Sequence, residues 1–142
     1  MRKSWIAVMA LASVTFAGCT AMEPAAPALP SYTATLAPGA GITSTGKGVG
    51  TFTYDPATHT LTYNVTHEGL SGPAAAAHIH GPADPGGTAP PVVPFANAAS
   101  PISGTATLTD AQAADLAAGK WYVNVHTAAN RGGEIRGQIT PK

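Results

Sequence analysis

Three stretches of this 142-residue chain alternate apolar and polar side chains one residue at a time. In Trp121-Tyr122-Val123-Asn124-Val125-His126 the large hydrophobes Trp121, Val123 and Val125 share one side. In Gly133-Glu134-Ile135-Arg136-Gly137-Gln138-Ile139 they are Ile135 and Ile139, and in Ala77-His78-Ile79-His80 it is Ile79. A period of two belongs to a strand with one buried face, because successive side chains point to opposite sides. A helix would need a period near 3.6, which none of the three has.

Short runs separated by Gly, Pro, Asn and Asp continue the pattern. Strands are predicted over Tyr32–Leu36, Gly48–Tyr54, His59–Thr66, Ala74–His80, Pro101–Leu108, Trp121–Thr127 and Gly133–Thr140. Asp55-Pro56-Ala57-Thr58 turns the chain between the second and third, with Leu61, Tyr63 and Val65 inward and Thr60, Thr62, Asn64 and Thr66 facing solvent. Residues 81–101 carry six prolines and read as a long irregular loop. Thr109 with Gln112 three residues on is a capping-box pattern that opens one short helix, which Gly119 stops. The predicted fold is all-β, a Greek-key-like β-sandwich or barrel with one short helix.

The N-terminus reads differently. Arg2 and Lys3 precede a twelve-residue apolar run, Trp5–Phe16, too short to span a membrane, so residues 1–18 are expected to be a signal peptide. The run ends in Phe16-Ala17-Gly18-Cys19, which resembles the lipobox of bacterial lipoproteins, and that resemblance implies lipidation of Cys19. Residues 19–30, rich in Pro and Ala, are then a flexible tether, and residues 31–142 the folded domain. These features imply an exported protein held to the membrane through Cys19. It would face the periplasm or the cell surface. Thr20, where inner-membrane lipoproteins carry Asp, favours the outer membrane if the source is a diderm bacterium. Without residues 1–18 the chain carries five basic and seven acidic residues, a net charge of −2. Its scattered cations make no stripe for phosphates, so no nucleic-acid partner is expected.

The alternation also sets the direction of the polar residues. With Ile79, Trp121, Val123, Val125, Ile135 and Ile139 inward, His78, His80, Tyr122, Asn124, His126, Glu134 and Arg136 are predicted on an exterior sheet face. In His78-x-His80 the two imidazoles stand about 7 Å apart at the backbone on that face. They can bend toward one ion, and His126 from a neighbouring strand would complete a set of three. Imidazole suits copper, zinc, iron or nickel. The alternative is that these histidines only bond Glu134 or the Pro-rich loop. His59 and His67 sit at strand ends and read as solvated or loop-bonding. Neither Gly-x-Ser-x-Gly, a phosphate-cradling glycine loop nor His-Glu-x-x-His is present, so the residues point to no reaction class.

The segments Ala77–Pro82, Tyr122–Thr127 and Gly133–Ile139 together resemble the CHRD domain family, over roughly residues 31–140. Bacterial members are mostly exported proteins of unknown function. A more distant similarity is to copper/zinc superoxide dismutases, which also carry a His-x-His strand and a Val-His strand end, and hold copper outside a β-barrel. That likeness would make His78, His80 and His126 three copper ligands. A bridging His, the zinc-site acid, the disulfide and an Arg matching the anion-guiding residue are missing, which supports a mononuclear copper- or zinc-type site more than dismutase activity. Two functions follow as expectations. One is a lipid-anchored, monomeric binding or structural module of the cell envelope, its partner an envelope protein or small ligand. The other is metal binding, with redox activity if the metal is copper, through His78, His80 and His126, Glu134 orienting an imidazole and Tyr122, Asn124 and Arg136 beside it.

Overall fold

The computed structural model describes residues 26–142; residues 1–18, read above as a signal peptide, and Cys19 lie outside the described residues. Residues 26–30 are exposed and without regular structure. Eight strands follow: β1 (Ser31–Pro38), β2 (Lys47–Asp55), β3 (Thr60–Glu68), β4 (Ala74–His80), β5 (Pro91–Pro94), β6 (Ile102–Thr107), β7 (Trp121–Thr127) and β8 (Ile135–Pro141), with helix α1 (Asp110–Ala117) between β6 and β7. All pairs are antiparallel, in the order β5-β4-β7-β8-β1-β2-β3-β6. Crossovers from β3 to β4 and from β6 to β7 make the arrangement a Greek key. Because β8 pairs with both β7 and β1, the sheet curls into a nearly closed barrel with β5 and β6 as its edges.

The barrel fills by alternation. Leu36, Phe52, Leu61, Val65, Ile79, Trp121, Val123, Val125, Ile135 and Ile139 are all at most 2% exposed. Leu116 brings α1 onto this core and is itself fully buried. The helix opens as its sequence predicts: the Thr109 side chain accepts from the Gln112 N–H, and the Gln112 side chain accepts from the Thr109 N–H. It ends where Gly119 takes φ +71°, a left-handed conformation that costs glycine little.

Two expectations need correction. The segment 81–101 is not wholly irregular, because β5 lies inside it and pairs with β4 through His78↔Pro94, Ile79↔Val93 and His80↔Pro91. Prolines hide such a strand from a propensity reading, yet an edge strand tolerates them because its outer side needs no N–H donor. The last strand begins at Ile135 rather than Gly133, so Glu134 lies in the turn before it.

Candidate metal centre

Strands β4, β7 and β8 lie side by side and set the outward residues in rows. One row is His80–Tyr122–Gln138, the next His78–Asn124–Arg136, and His126 stands opposite Ala76. The predicted shared face is therefore real for these residues, but it is not the open surface the alternation suggested. Tyr122, Asn124 and His80 are only 2%, 7% and 8% exposed.

The cover is the connection 81–90, and the face itself fastens it. Gln138 Nε2 donates to the Ala83 and Gly119 carbonyls, and Arg136 Nη2 to the Gly87 carbonyl. The Tyr122 hydroxyl accepts from the Ala89 N–H and lies 3.3 Å from the Ala89 carbonyl. His80 packs on the Tyr122 ring from β4, and the Arg136 guanidinium sits 3.9 Å above that ring from β8. A period of two states the direction of a side chain but not what lies over it.

His78, His80 and His126 come together as their spacing predicts. One ligating nitrogen from each falls within 4.8 Å of the others. The neighbouring backbone decides which nitrogens are available. His80 Nδ1 lies 2.8 Å from the Ala89 carbonyl, which can only accept, so Nδ1 carries the proton. Its Nε2 is then a bare lone pair, buried and without any hydrogen-bond partner. His126 Nδ1 lies 2.8 Å from the Arg131 carbonyl, which by the same logic leaves Nε2 as the lone pair. That nitrogen faces His78 Nδ1 at 3.3 Å. Two nitrogens bound at about 2.0–2.1 Å to one ion at a tetrahedral angle lie about 3.3–3.4 Å apart.

Burial pushes the His78 imidazole below the ordinary His value, with repulsion from His126 and His80 adding to it. Burial does the same to His80, helped by His126 and Arg136 and opposed by the bond to the Ala89 carbonyl. Both are thus biased toward the neutral form that a metal requires. His126 lines two clefts. One, of about 420 Å³, includes His78, Thr127 and Arg131. The other, of about 490 Å³, includes His80, Tyr122 and Arg136.

Glu134 departs most from expectation. It is fully buried rather than outward, and it bonds no histidine. Its carboxylate instead accepts from the Ser44, Ser71 and Thr127 hydroxyls, the Ser71 N–H and the Asn130 amide. The groups that orient the imidazoles are carbonyls of Ala89 and Arg131, which no side-chain pattern could disclose. His67 bonds the loop through its Nε2 and the Ala98 carbonyl, as read from sequence. His59 lies 3.4 Å from the Asp110 carboxylate and from the Tyr54 hydroxyl.

The sequence model described as the CHRD domain matches residues 32–139. The chain belongs to the CHRD domain family. The match takes in all the strands that carry the histidines and the turn that precedes β8. No curated protein and no solved structure matches this CHRD chain.

Proposed function

We propose that this CHRD domain is a metal-binding module of the cell envelope, taking one copper- or zinc-type ion through His78 Nδ1, His80 Nε2 and His126 Nε2. The observation that carries the reading is the bare Nε2 of His80, buried without a donor while its Nδ1 is held by Ala89. A buried polar atom is normally paired, and leaving one unpaired costs about 1–3 kcal/mol. A purely structural histidine would gain nothing from that arrangement, whereas a ligand needs it. Three neutral imidazoles without a thiolate or carboxylate suit copper and zinc. The carbonyls of Ala89 and Arg131 take the orienting part that a metal-bound imidazole commonly finds in a neighbouring acceptor. His78 Nδ1, the donor to His126 Nε2, would give up its proton, with the ring taking the Nε2–H tautomer, and the two nitrogens would exchange their hydrogen bond for shared coordination.

Residues 1–30 support the same setting. They suggest export, a lipid at Cys19 and a tether that holds the domain off the membrane, in the outer membrane of a diderm source.

The test is titration of the full chain with Cu(II) and with Zn(II), beside His78→Ala/His80→Ala. One ion per chain is expected for the native protein, and at least roughly 100-fold weaker binding for the variant, because both ligands of β4 are gone. Equal uptake by the two proteins refutes the assignment.

A further inference from the structure

Glu134 has a use that neither the barrel nor the ligand set accounts for. It is the one fully buried carboxylate among the described residues, and no cation is among its hydrogen-bond partners. Five neutral donors surround it: Ser44 Oγ at 2.6 Å, the Ser71 N–H at 2.7 Å, Ser71 Oγ, Thr127 Oγ1 at 2.6 Å and Asn130 Nδ2 at 3.1 Å. Burial alone would raise its pKa, but the hydrogen bonds from Ser44, Ser71 and Thr127 outweigh burial and hold it well below the usual carboxylate range. The donors come from the β1–β2 connection, the β3–β4 connection, and the end of β7 with the connection that follows it, three places remote from one another in sequence.

The β7–β8 connection is where this network meets the histidines. Asn130 gives its side-chain amide to Glu134, and its backbone exchanges two hydrogen bonds with Thr127. The next carbonyl, of Arg131, accepts from His126 Nδ1, and that of Gly132 accepts from the Asn124 amide. Gly133 N–H then returns to the Asn130 carbonyl. Every residue from 130 to 133 is thus tied either to Glu134, to the histidine face, or to Asn130. His80 is oriented from the other side, by the 81–90 connection, and shares no hydrogen bond with this network.

We propose that Glu134 is the positioning residue of the histidine cluster: it fixes the β7–β8 turn through Asn130 and Thr127, and that turn holds His126 with Nε2 turned toward His78 and His80. Its functional meaning rests on the metal reading above, whereas the structural linkage stands in the metal-free protein. The asymmetry between His126 and His80 supplies a signature that general destabilisation would not produce.

The full chain, metal-free and ¹⁵N-labelled, is compared with Glu134→Gln and Asn130→Ala by imidazole ¹H–¹⁵N spectra. Native His80 and His126 should both be Nδ1–H tautomers. In either variant the His126 Nδ1 proton should exchange at least about tenfold faster, or the tautomer should become mixed, while His80 stays unchanged. Asn130→Ala removes the turn's own bond to the carboxylate and leaves the Ser44, Ser71 and Thr127 bonds, so it decides the matter if Glu134→Gln does not fold. An unaltered His126, or equal loosening of His80 and His126, overturns the proposal. Copper titration of the same proteins should show affinity weakened roughly 10–100-fold, the usual effect of removing a group that orients a ligand. Native affinity alongside a loosened His126 also overturns it. A native chain that takes up no copper overturns the metal reading instead, and the imidazole spectra still decide the positioning.

Discussion

Gly133 shows how narrowly the site is built at the scale of single residues. Its φ is +120°, which side-chain-bearing residues rarely adopt, and a Cβ there would fall inside the Asn124 side chain. Asn124 stands between His78 and Arg136 and cannot retreat far, being nearly buried. Gly133→Ala should therefore cost about 2–3 kcal/mol from backbone strain and displacement of Asn124. Urea denaturation of the variant and native chains measures this, and a loss below about 0.5 kcal/mol would contradict the fit. At this scale the sequence disclosed part of the site. His78, His80 and His126 were legible because a buried face fixes parity, and Ile79, Val123 and Val125 made that parity unambiguous. Glu134 was misread because it shares parity with Arg136, yet it precedes the strand, where parity has no force. Its partners Ser44 and Ser71 are 90 and 63 residues away, too far for any local pattern.

Among the elements, α1 offers a clean separation of folding from site chemistry. Its Thr109–Gln112 capping box was readable because both partners lie within one turn, and both bonds form. Thr109→Ala should lower stability by about 1 kcal/mol, as loss of an N-cap does. Leu116 matters more to docking, since full burial of such a side chain contributes about 1.5–3 kcal/mol. Neither residue lines the clefts around His78, His80 and His126, so copper affinity of Thr109→Ala should stay native by titration while its thermal midpoint falls. A parallel loss of affinity would mean that the site depends on the helix. The element that escaped the sequence was β5. Its strand character comes from pairing with β4, a tertiary cause, whereas Pro91 and Pro94 argue locally against a strand.

For the whole molecule, the Glu134 network predicts how stability responds to acid. The carboxyl sits below its ordinary value of about 4.5 in the folded protein, so the unfolded chain binds the proton first as pH falls. Its contribution is complete above that ordinary value and is lost as pH drops from about 4.5 toward the folded value. The urea midpoint of the native chain should thus fall steeply between about pH 5 and pH 3, and that of Glu134→Gln should start lower and fall less. Parallel curves would assign the acid sensitivity to other groups. Fold class was readable over this length because alternation recurs in strand after strand. The pairing order was not, since nothing local tells β3 to pair with β6.

The pairing of β1 with β8 brings the two ends of the domain together, with Tyr32 opposite Pro141 and the Lys142 N–H on the Ser31 carbonyl. It also places β1 between two neighbours, β8 and β2. A pull on the exposed segment 26–30 therefore runs along a strand gripped at both edges, loading its hydrogen bonds in shear instead of unzipping them one by one. On the tethering proposed above, the domain would hang by a strand paired on both sides, not by an edge strand.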